Sequence, residues 1–273
     1  MKIKRCILGI PARLDSSRLP NKILADINGK PMLKRVLNRC NMVNNSYGIV
    51  VCTENKEVKE FVESWGYSCF LTSKNCKSGS ERLASKTDEL LKTCWGDDYN
   101  YWDKEKKKKA LNQTGIINIQ GDQPFIDPLV ICKLIENFTA YDVPPDVITP
   151  IYKLKPESVH DPSVVKTLIA EDGRAIYFSR SAVPHIRGIP HKEWYKFYNY
   201  WGHVGIYGYR ASVLSKWFNI PHSNLESLEK LEQLKLIEAG YNFLTFKIDG
   251  TSLSVDTEYQ LEEARKIAES ENY

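Results

Sequence analysis

Residues 5–22 read Arg5-Cys6-Ile7-Leu8-Gly9-Ile10-Pro11-Ala12-Arg13-Leu14-Asp15-Ser16-Ser17-Arg18-Leu19-Pro20-Asn21-Lys22. Arg5–Ile10 is a short β-rich run that Pro11 ends. Ala12–Asn21 is irregular, polar and basic. A buried strand running straight into a cationic loop puts that loop at the carboxyl edge of a sheet, where open α/β folds bind ligands. Arg13, Arg18 and Lys22 fall within ten residues, with small hydroxyl residues between. Arg offers a planar fork to phosphate oxygens, Lys a point charge, and loop N–H groups a concave anion nest. The loop is not of Walker type, because G-x-x-x-x-G-K-[ST] is absent. Taken alone it is either an anion clamp or an ordinary surface loop.

Outward from this stretch the chain alternates strands and helices. Ile23–Ile27 reads as a strand turned by Asn28-Gly29, and Pro31 as the first residue of a helix. Gly48–Cys52 and Tyr67–Leu71 read as strands around a helix, Lys56–Trp65. Ser80–Cys94 reads as one helix, Gly115–Gln120 as a strong strand and Pro128–Phe138 as a helix. This rhythm predicts a three-layer, mostly parallel α/β sheet with right-handed crossovers. From Val147 to Arg210 strands dominate: Val147–Tyr152, Ser163–Ile169, Ala175–Ser179 and Val204–Tyr209. They predict a smaller antiparallel lobe over 147–215, embedded in a single domain of 1–273. Asn224–Ala239 predicts one helix, capped by Asn224 and stopped by Gly240. Phe243–Ile248 is a strand and Thr257–Ala268 a closing helix. Residues 95–113 break the rhythm with Tyr99, Tyr101, Trp102 and the run Lys104–Lys109. That segment is a docking patch or, more simply, a solvated surface insertion.

The composition narrows the class. Of 273 residues, 42% are hydrophobic and 26% charged, which excludes wholesale disorder. Lys plus Arg number 38 against 34 Asp plus Glu. That excess is too mild for nucleic acid or a membrane surface, and it suits a small anionic ligand. No apolar run reaches the roughly 18 residues of a membrane span, and the amino terminus lacks the apolar stretch and cleavage site of a signal peptide. Seven cysteines, an odd number with no C-x-x-C pair, argue against a disulfide framework or a zinc site. They read as small buried thiols of a cytoplasmic protein.

Two further motifs carry chemistry. Gln120-Gly121-Asp122 follows a buried strand, so Asp122 is placed to bind a hard cation such as Mg²⁺, or simply to shape a turn. Ser254-Val255-Asp256-Thr257 precedes the closing helix, where Asp256 or Thr257 could serve only as a cap. If the fold brings Asp256 to Asp122, two carboxylates can share a cation with a triphosphate.

The three motifs together resemble the 3-deoxy-manno-octulosonate (Kdo) cytidylyltransferases. Their pattern opens I-P-A-R-x-x-S-[TS]-R-L-P-x-K and runs through N-G-K-P-M, S-G-[TS]-E-R and Q-G-D-x-P to V-D-T. Here the matching stretches are Asn28–Met32, Ser78–Arg82, Gln120–Pro124 and Val255–Thr257, and Tyr177–Arg180, His203–Arg210 and Leu231–Leu234 also agree. The resemblance covers nearly the whole chain. It implies a cytoplasmic, homodimeric enzyme that joins CTP to a 2-keto sugar acid and releases pyrophosphate. By position, Arg13, Arg18 and Lys22 would hold the triphosphate, and Ala12, Ser80 and Arg82 would line the cytidine side. Gln120 would stand at the nucleotide–sugar junction, Asp122 and Asp256 would bind Mg²⁺, and Arg180, His203, Tyr207, Glu229 and Gln233 would address the sugar. Arg13, Lys22, Asp122 and Asp256 would carry the reaction.

The chain departs from the pattern at Gln123 for Glu, Asn21 for Gly, Glu54 for Asp and Ser254 for Gly. These changes bear on the sugar more than on the reaction. A modified ulosonic acid such as 8-amino-Kdo is the alternative substrate, and a non-catalytic CTP-binding subunit the alternative role. No nucleic-acid or membrane partner is expected.

Overall fold

A computed structural model describes residues 1–14, 18–250 and 253–270. Asp15, Ser16 and Ser17 of the first loop lie outside the described residues. The chain forms two compact units. The first holds the described residues of Met1–Pro144, Gly208–Trp217 and Ser252–Tyr273, and the second those of Pro145–Tyr207 and Phe218–Thr251.

The first unit begins with β1 (Arg5–Ala12), a small hairpin of β2 (Asp26–Ile27) and β3 (Lys30–Pro31), and α1 (Met32–Asn41). There follow β4 (Ile49–Thr53), α2 (Lys56–Ser64), β5 (Ser68–Leu71), α3 (Gly79–Ala84), α4 (Thr87–Trp95), α5 (Lys104–Gln113), β6 (Thr114–Asn118) and α6 (Pro128–Ala140). The strands run β5-β4-β1-β6, all parallel. β1 goes left to β4 and β5, and the chain then returns to place β6 on the other side of β1. The switch in direction therefore lies between β1 and β6, which is where such sheets open a ligand crevice.

Register shows how the layers arise. Successive strand residues face opposite sides of a sheet. A Cβ on Gly9 would lie 2.8 Å from Leu83 of α3, whereas one on Gly115 would meet Cys6 Sγ at 2.9 Å and the Phe138 ring of α6 at 3.0 Å. Gly9 pairs with Asn118, and Cys6 with Gly115. Helices thus cover both faces, and glycine brings each helix onto the strands.

Pro11 does not end β1 as its sequence suggested. The odd-numbered residues of β1 direct their backbone groups toward β6, as the bond from Ile119 N–H to Gly9 O shows. Pairing to β6 stops at Gly9, while pairing to β4 continues through Ala12. A missing N–H at Pro11 therefore costs no ladder bond. The same parting of β1 from β6 opens the crevice.

Other expectations shift. Ile23–Ile27 is a 3-10 turn, Lys22–Leu24, followed by β2. Ser80–Cys94 is two helices, because Ser85 and Thr87 hydroxyls bond back to the carbonyls of Arg82 and Ala84. Residues 95–113 are not an open insertion. Tyr99 is buried, Trp102 packs on both Tyr99 and Trp95 at 5.6 Å, and the Arg5 guanidinium lies 4.2 Å over Trp95. Lys104, Lys106, Lys108 and Lys109 of α5 remain exposed. Five of the seven cysteines are buried, but Cys76 and Cys132 are half-exposed.

The second unit contains β7 (Val147–Lys153), β8 (Lys166–Ile169), β9 (Ala175–Ser179) and β10 (Trp201–His203). After β11 (Tyr207–Arg210) and α7 (Ala211–Leu214) come α8 (Asn224–Glu229), α9 (Leu234–Glu238) and β12 (Phe243–Ile248). β7-β10-β8-β9 is antiparallel, and β12 adds to β7 in parallel. That last pairing carries 218–251 into this unit, beyond the expected limit at 215, while Gly208–Trp217 belongs to the first unit, where α7 packs on α3, α5 and β6. The predicted helix Asn224–Ala239 breaks at Lys230, whose φ of 55° is left-handed, and its cap is Ser223, not Asn224. His203 closes β10. The final helix, α10 (Glu258–Ser270), returns to the first unit.

Candidate active site

The crevice in the first unit is lined by Arg13, Lys22, Ser78, Gly79, Arg82, Gln120, Asp122 and Asp256, among others. Each comes from the carboxyl end of a strand or from a loop tied to one. Leu19 and Val255 sink into one apolar cluster with Ile27, Met32 and Leu261, which fixes the loops bearing Lys22 and Asp256. Val255 N–H also donates to Asp122 O at 2.9 Å. Asn21 takes a φ of 55°, a conformation that Asn tolerates better than most side chains, so it can stand where the pattern named above has Gly.

Lys22 Nζ donates to Asp122 Oδ2 at 2.6 Å and to Asp256 Oδ1 at 2.9 Å. Arg18 reaches Asp256 Oδ1 at 3.2 Å. Burial works against the charge of Lys22, yet the two carboxylates outweigh it and hold its pKa above the ordinary lysine value. Burial likewise opposes ionisation of Asp256, but Lys22, Arg18 and Arg13 pull its pKa below the ordinary carboxylate value. Lys22 and Asp256 both stay charged near neutrality.

The capping alternative at Asp256 and Thr257 is resolved by neighbours. Gln260 N–H donates to Thr257 Oγ1, and Gln260 Oε1 accepts from the N–H groups of Asp256 and Thr257, so Thr257 and Gln260 cap α10 reciprocally. Asp127 caps α6 through Leu129 N–H. Neither Asp256 nor Asp122 is used as a cap, and their carboxylates meet at one cation.

Ala12 and Ser80 are fully buried behind the crevice wall. Ser80 Oγ lies 2.8 Å from Tyr209 Oη and accepts from Asn118 Nδ2, while Asn118 Oδ1 accepts from Gln120 Nε2 at 3.3 Å. Asn118 and Tyr209, which sequence reasoning passed over, link Ser80 and Gln120 in one chain. Arg82 is buried, paired with Glu54 at 2.6 Å and donating to Thr72 Oγ1.

The five residues expected to face the sugar all lie in the second unit, in two groups. Glu229 accepts from Ser179 Oγ and Arg180 N–H, and Arg180 Nε donates to Glu229 O. Tyr207 Oη donates to Gln233 Oε1 at 3.1 Å; burial raises its pKa, so the hydroxyl stays protonated. The break at Lys230 means that Glu226, Glu229 and Gln233 share no continuous helix face. His203 packs between the rings of Phe178 and Tyr207, and burial pushes its pKa down to about 3. Thr149 Oγ1 gives its proton to Ile206 O and so accepts from His203 Nε2 at 3.1 Å. His203 is therefore the neutral Nε2–H tautomer, with Nδ1 as acceptor.

A switch-point crevice with arginine and lysine beside paired carboxylates defines a nucleotide-binding α/β protein built to handle phosphates. The cytidylyltransferase family profile matches residues 7–94 and 102–248. The chain belongs to that family. It is 34% identical over 264 residues to the 3-deoxy-manno-octulosonate cytidylyltransferase of Chlorobium limicola, covering 96% of both chains. To the enzyme of the same name from Porphyromonas gingivalis it is 32% identical, covering 93% of both. Among solved structures it resembles a CMP:2-keto-3-deoxy-manno-octonic acid synthetase complexed with CTP, at a TM-score of 0.82 and 32% identity, covering 98% of this chain and all of the other. The profile skips residues 95–101, where the sequence rhythm breaks. Among the described residues no helix is long and apolar enough to cross a membrane.

Proposed function

We propose that this cytidylyltransferase transfers CMP from CTP to the anomeric hydroxyl of Kdo, or of a close 2-keto sugar acid, and releases pyrophosphate. The observation that carries the proposal is the convergence of Asp122 and Asp256 on Lys22, beside Arg13 and Arg18, at the switch-point crevice. Two carboxylates within 3 Å of one ammonium can share a single hard cation, and Mg²⁺ is commonly bound by one or two carboxylates plus substrate phosphates. The donor set fits Mg²⁺, with Asp122 and Asp256 as its holders. When bound, the ion would neutralise charge on the phosphates.

The chain's own residues do the rest. Arg13, Arg18 and Lys22 offer fixed positive charge to the triphosphate and to the departing pyrophosphate, where negative charge grows. The sugar oxygen forms its bond to the α-phosphorus as the bond between the α- and β-phosphates breaks, and the hydroxyl proton passes to solvent. Gln120, whose Nε2 donates to Asn118 Oδ1 at 3.3 Å, would orient the groups at this junction. The homodimer implied by the family resemblance belongs to the same reading and is checked by light scattering.

The deciding assay is a pyrophosphate-release screen with CTP, Mg²⁺ and a panel of Kdo, 8-amino-Kdo and sialic-acid-type substrates. Release is expected only with all three components and with an acid of the Kdo type. A folded protein that binds CTP but turns over no acid in the panel overturns the proposal.

A further inference from the structure

Glu54 follows β4 and touches two walls of the crevice at once. Its side chain is 8% exposed. Oε1 accepts from the N–H of Leu14, the residue after Arg13, at 3.1 Å. Oε2 lies 2.6 Å from Arg82 Nη1, on a side chain only 4% exposed. Arg82 also donates to Thr72 Oγ1, and Thr72 N–H is itself pinned to Thr53 O at 2.8 Å. Arg13 and Arg82 both line the crevice. One carboxylate therefore joins the loop after β1, the end of β4 and helix α3.

The physical case is that a buried guanidinium demands a paired carboxylate, and that a buried pair escapes most salt screening. A loop carrying phosphate-binding arginines is also costly to order at the moment of binding, so an anchor that fixes it beforehand improves affinity.

We propose that Glu54 is the positioning residue of the nucleotide pocket, holding Arg82 in the crevice wall and anchoring the phosphate loop at Leu14 before nucleotide arrives. The inference rests on the reading of the crevice as a CTP site. Glu54 acts through Leu14 and Arg82, not on the substrate itself. A contact of this kind leaves no periodic signal, because positions 14, 54 and 82 meet only through the fold.

The test compares wild type with Glu54→Gln, Glu54→Ala and Glu54→Asp by CTP calorimetry, steady-state kinetics and melting temperature. Glu54→Gln keeps an acceptor for Leu14 but sets an amide against the guanidinium, and its near-identical shape preserves the fold. CTP affinity is expected to fall about ten- to a hundredfold in Glu54→Gln and Glu54→Ala, with the KM for the sugar acid within twofold of wild type. Glu54→Asp, which keeps the charge on a shorter arm, is expected to recover part of the loss. In nucleotide-free protein, the Leu14 amide should exchange its hydrogen faster in Glu54→Ala than in wild type. Folded Glu54→Gln with CTP affinity within threefold of wild type overturns the role of Glu54 alone. An equal rise in KM for CTP and sugar acid also overturns it, as general loosening. A wild type that binds no CTP overturns the crevice reading and this inference together.

Discussion

Lys22 is the residue on which the crevice turns, since it pairs with both Asp122 and Asp256. Asp122→Asn and Asp256→Asn should each lower turnover by about a hundredfold or more, and near-normal pyrophosphate release in either would remove that residue from the machinery. The same cluster has a defined pH window. Asp256 titrates below its ordinary value of 3.8 in the folded protein, so its contribution to stability is full above that value and is lost as pH falls through the lower, folded pKa. Lys22 titrates above 10.5, so its contribution is full below that value and is lost as pH rises through the higher, folded pKa. The stability gap between wild type and Asp256→Asn should therefore stay flat from about pH 5 to about pH 9, as read by urea unfolding. A gap that changes inside the window contradicts the assignment. Cysteine reactivity offers a second probe at this scale. Burial pushes Cys6, Cys40, Cys69 and Cys94 up to about 12, and Cys52 higher still, so their thiolates are scarce at neutral pH. Cys76 is half-exposed and lines the crevice. Maleimide should label Cys76 and Cys132 first, and CTP should slow labelling at Cys76 only, as peptide mass spectrometry would reveal; equal labelling with and without CTP counts against a nucleotide beside Cys76.

Elements meet here at close quarters, and that closeness is measurable. Gly115→Ala would drive a methyl group into Cys6 and Phe138 and should cost about 1–3 kcal/mol in urea unfolding; no change would mean that α6 does not rest on β6 as described. At the α8–α9 break, Lys230 carries a left-handed backbone with an exposed side chain. Lys230→Gly should stabilise by about 1 kcal/mol, whereas a continuous helix there would be destabilised by the same change. This break also shows where sequence reading ran out. Leu225, Leu228, Leu231 and Leu234 carry a helical period straight through Lys230, and nothing local opposes it. What opposes it is long-range: Ser179 and Arg180 hold Glu229 on one side of the break, and Tyr207 holds Gln233 on the other. The split at Ser85 was legible in principle, since Ser85 and Thr87 are residues that bond back to a helix carbonyl. The parallel core and the crevice loops were legible because strand ends, Gly-Asp turns and clustered cations are local signals. Glu54 was visible only as a departure from a pattern, because its partners lie 40 and 28 positions away.

Across the whole molecule, charge is sorted by place more than by amount. The run that dominates the basic side by eye sits in residues 97–109, where five lysines face four acids and are almost neutralised. Lys106 and Lys107 are further engaged over Trp102 and Tyr99, so α5 reads as a docked element and not as a platform for polyanions. The cations that matter are the few at the switch point, all within the first unit. A ligand bound there stabilises the native state by mass action, about 2.7 kcal/mol at a hundredfold excess over its Kd. For a chain of this size that corresponds to a rise in Tm of roughly 5–10 °C. CTP with Mg²⁺ should give such a shift in a thermal melt, and high salt should shrink it, because Arg13 and Arg18 are exposed and screened. Arg13→Ala should cut the shift, while Lys106→Glu with Lys108→Glu should leave it intact despite removing more positive charge. If the α5 double variant abolishes the shift and Arg13→Ala does not, nucleotide binds on the lysine-rich helix and the crevice assignment falls.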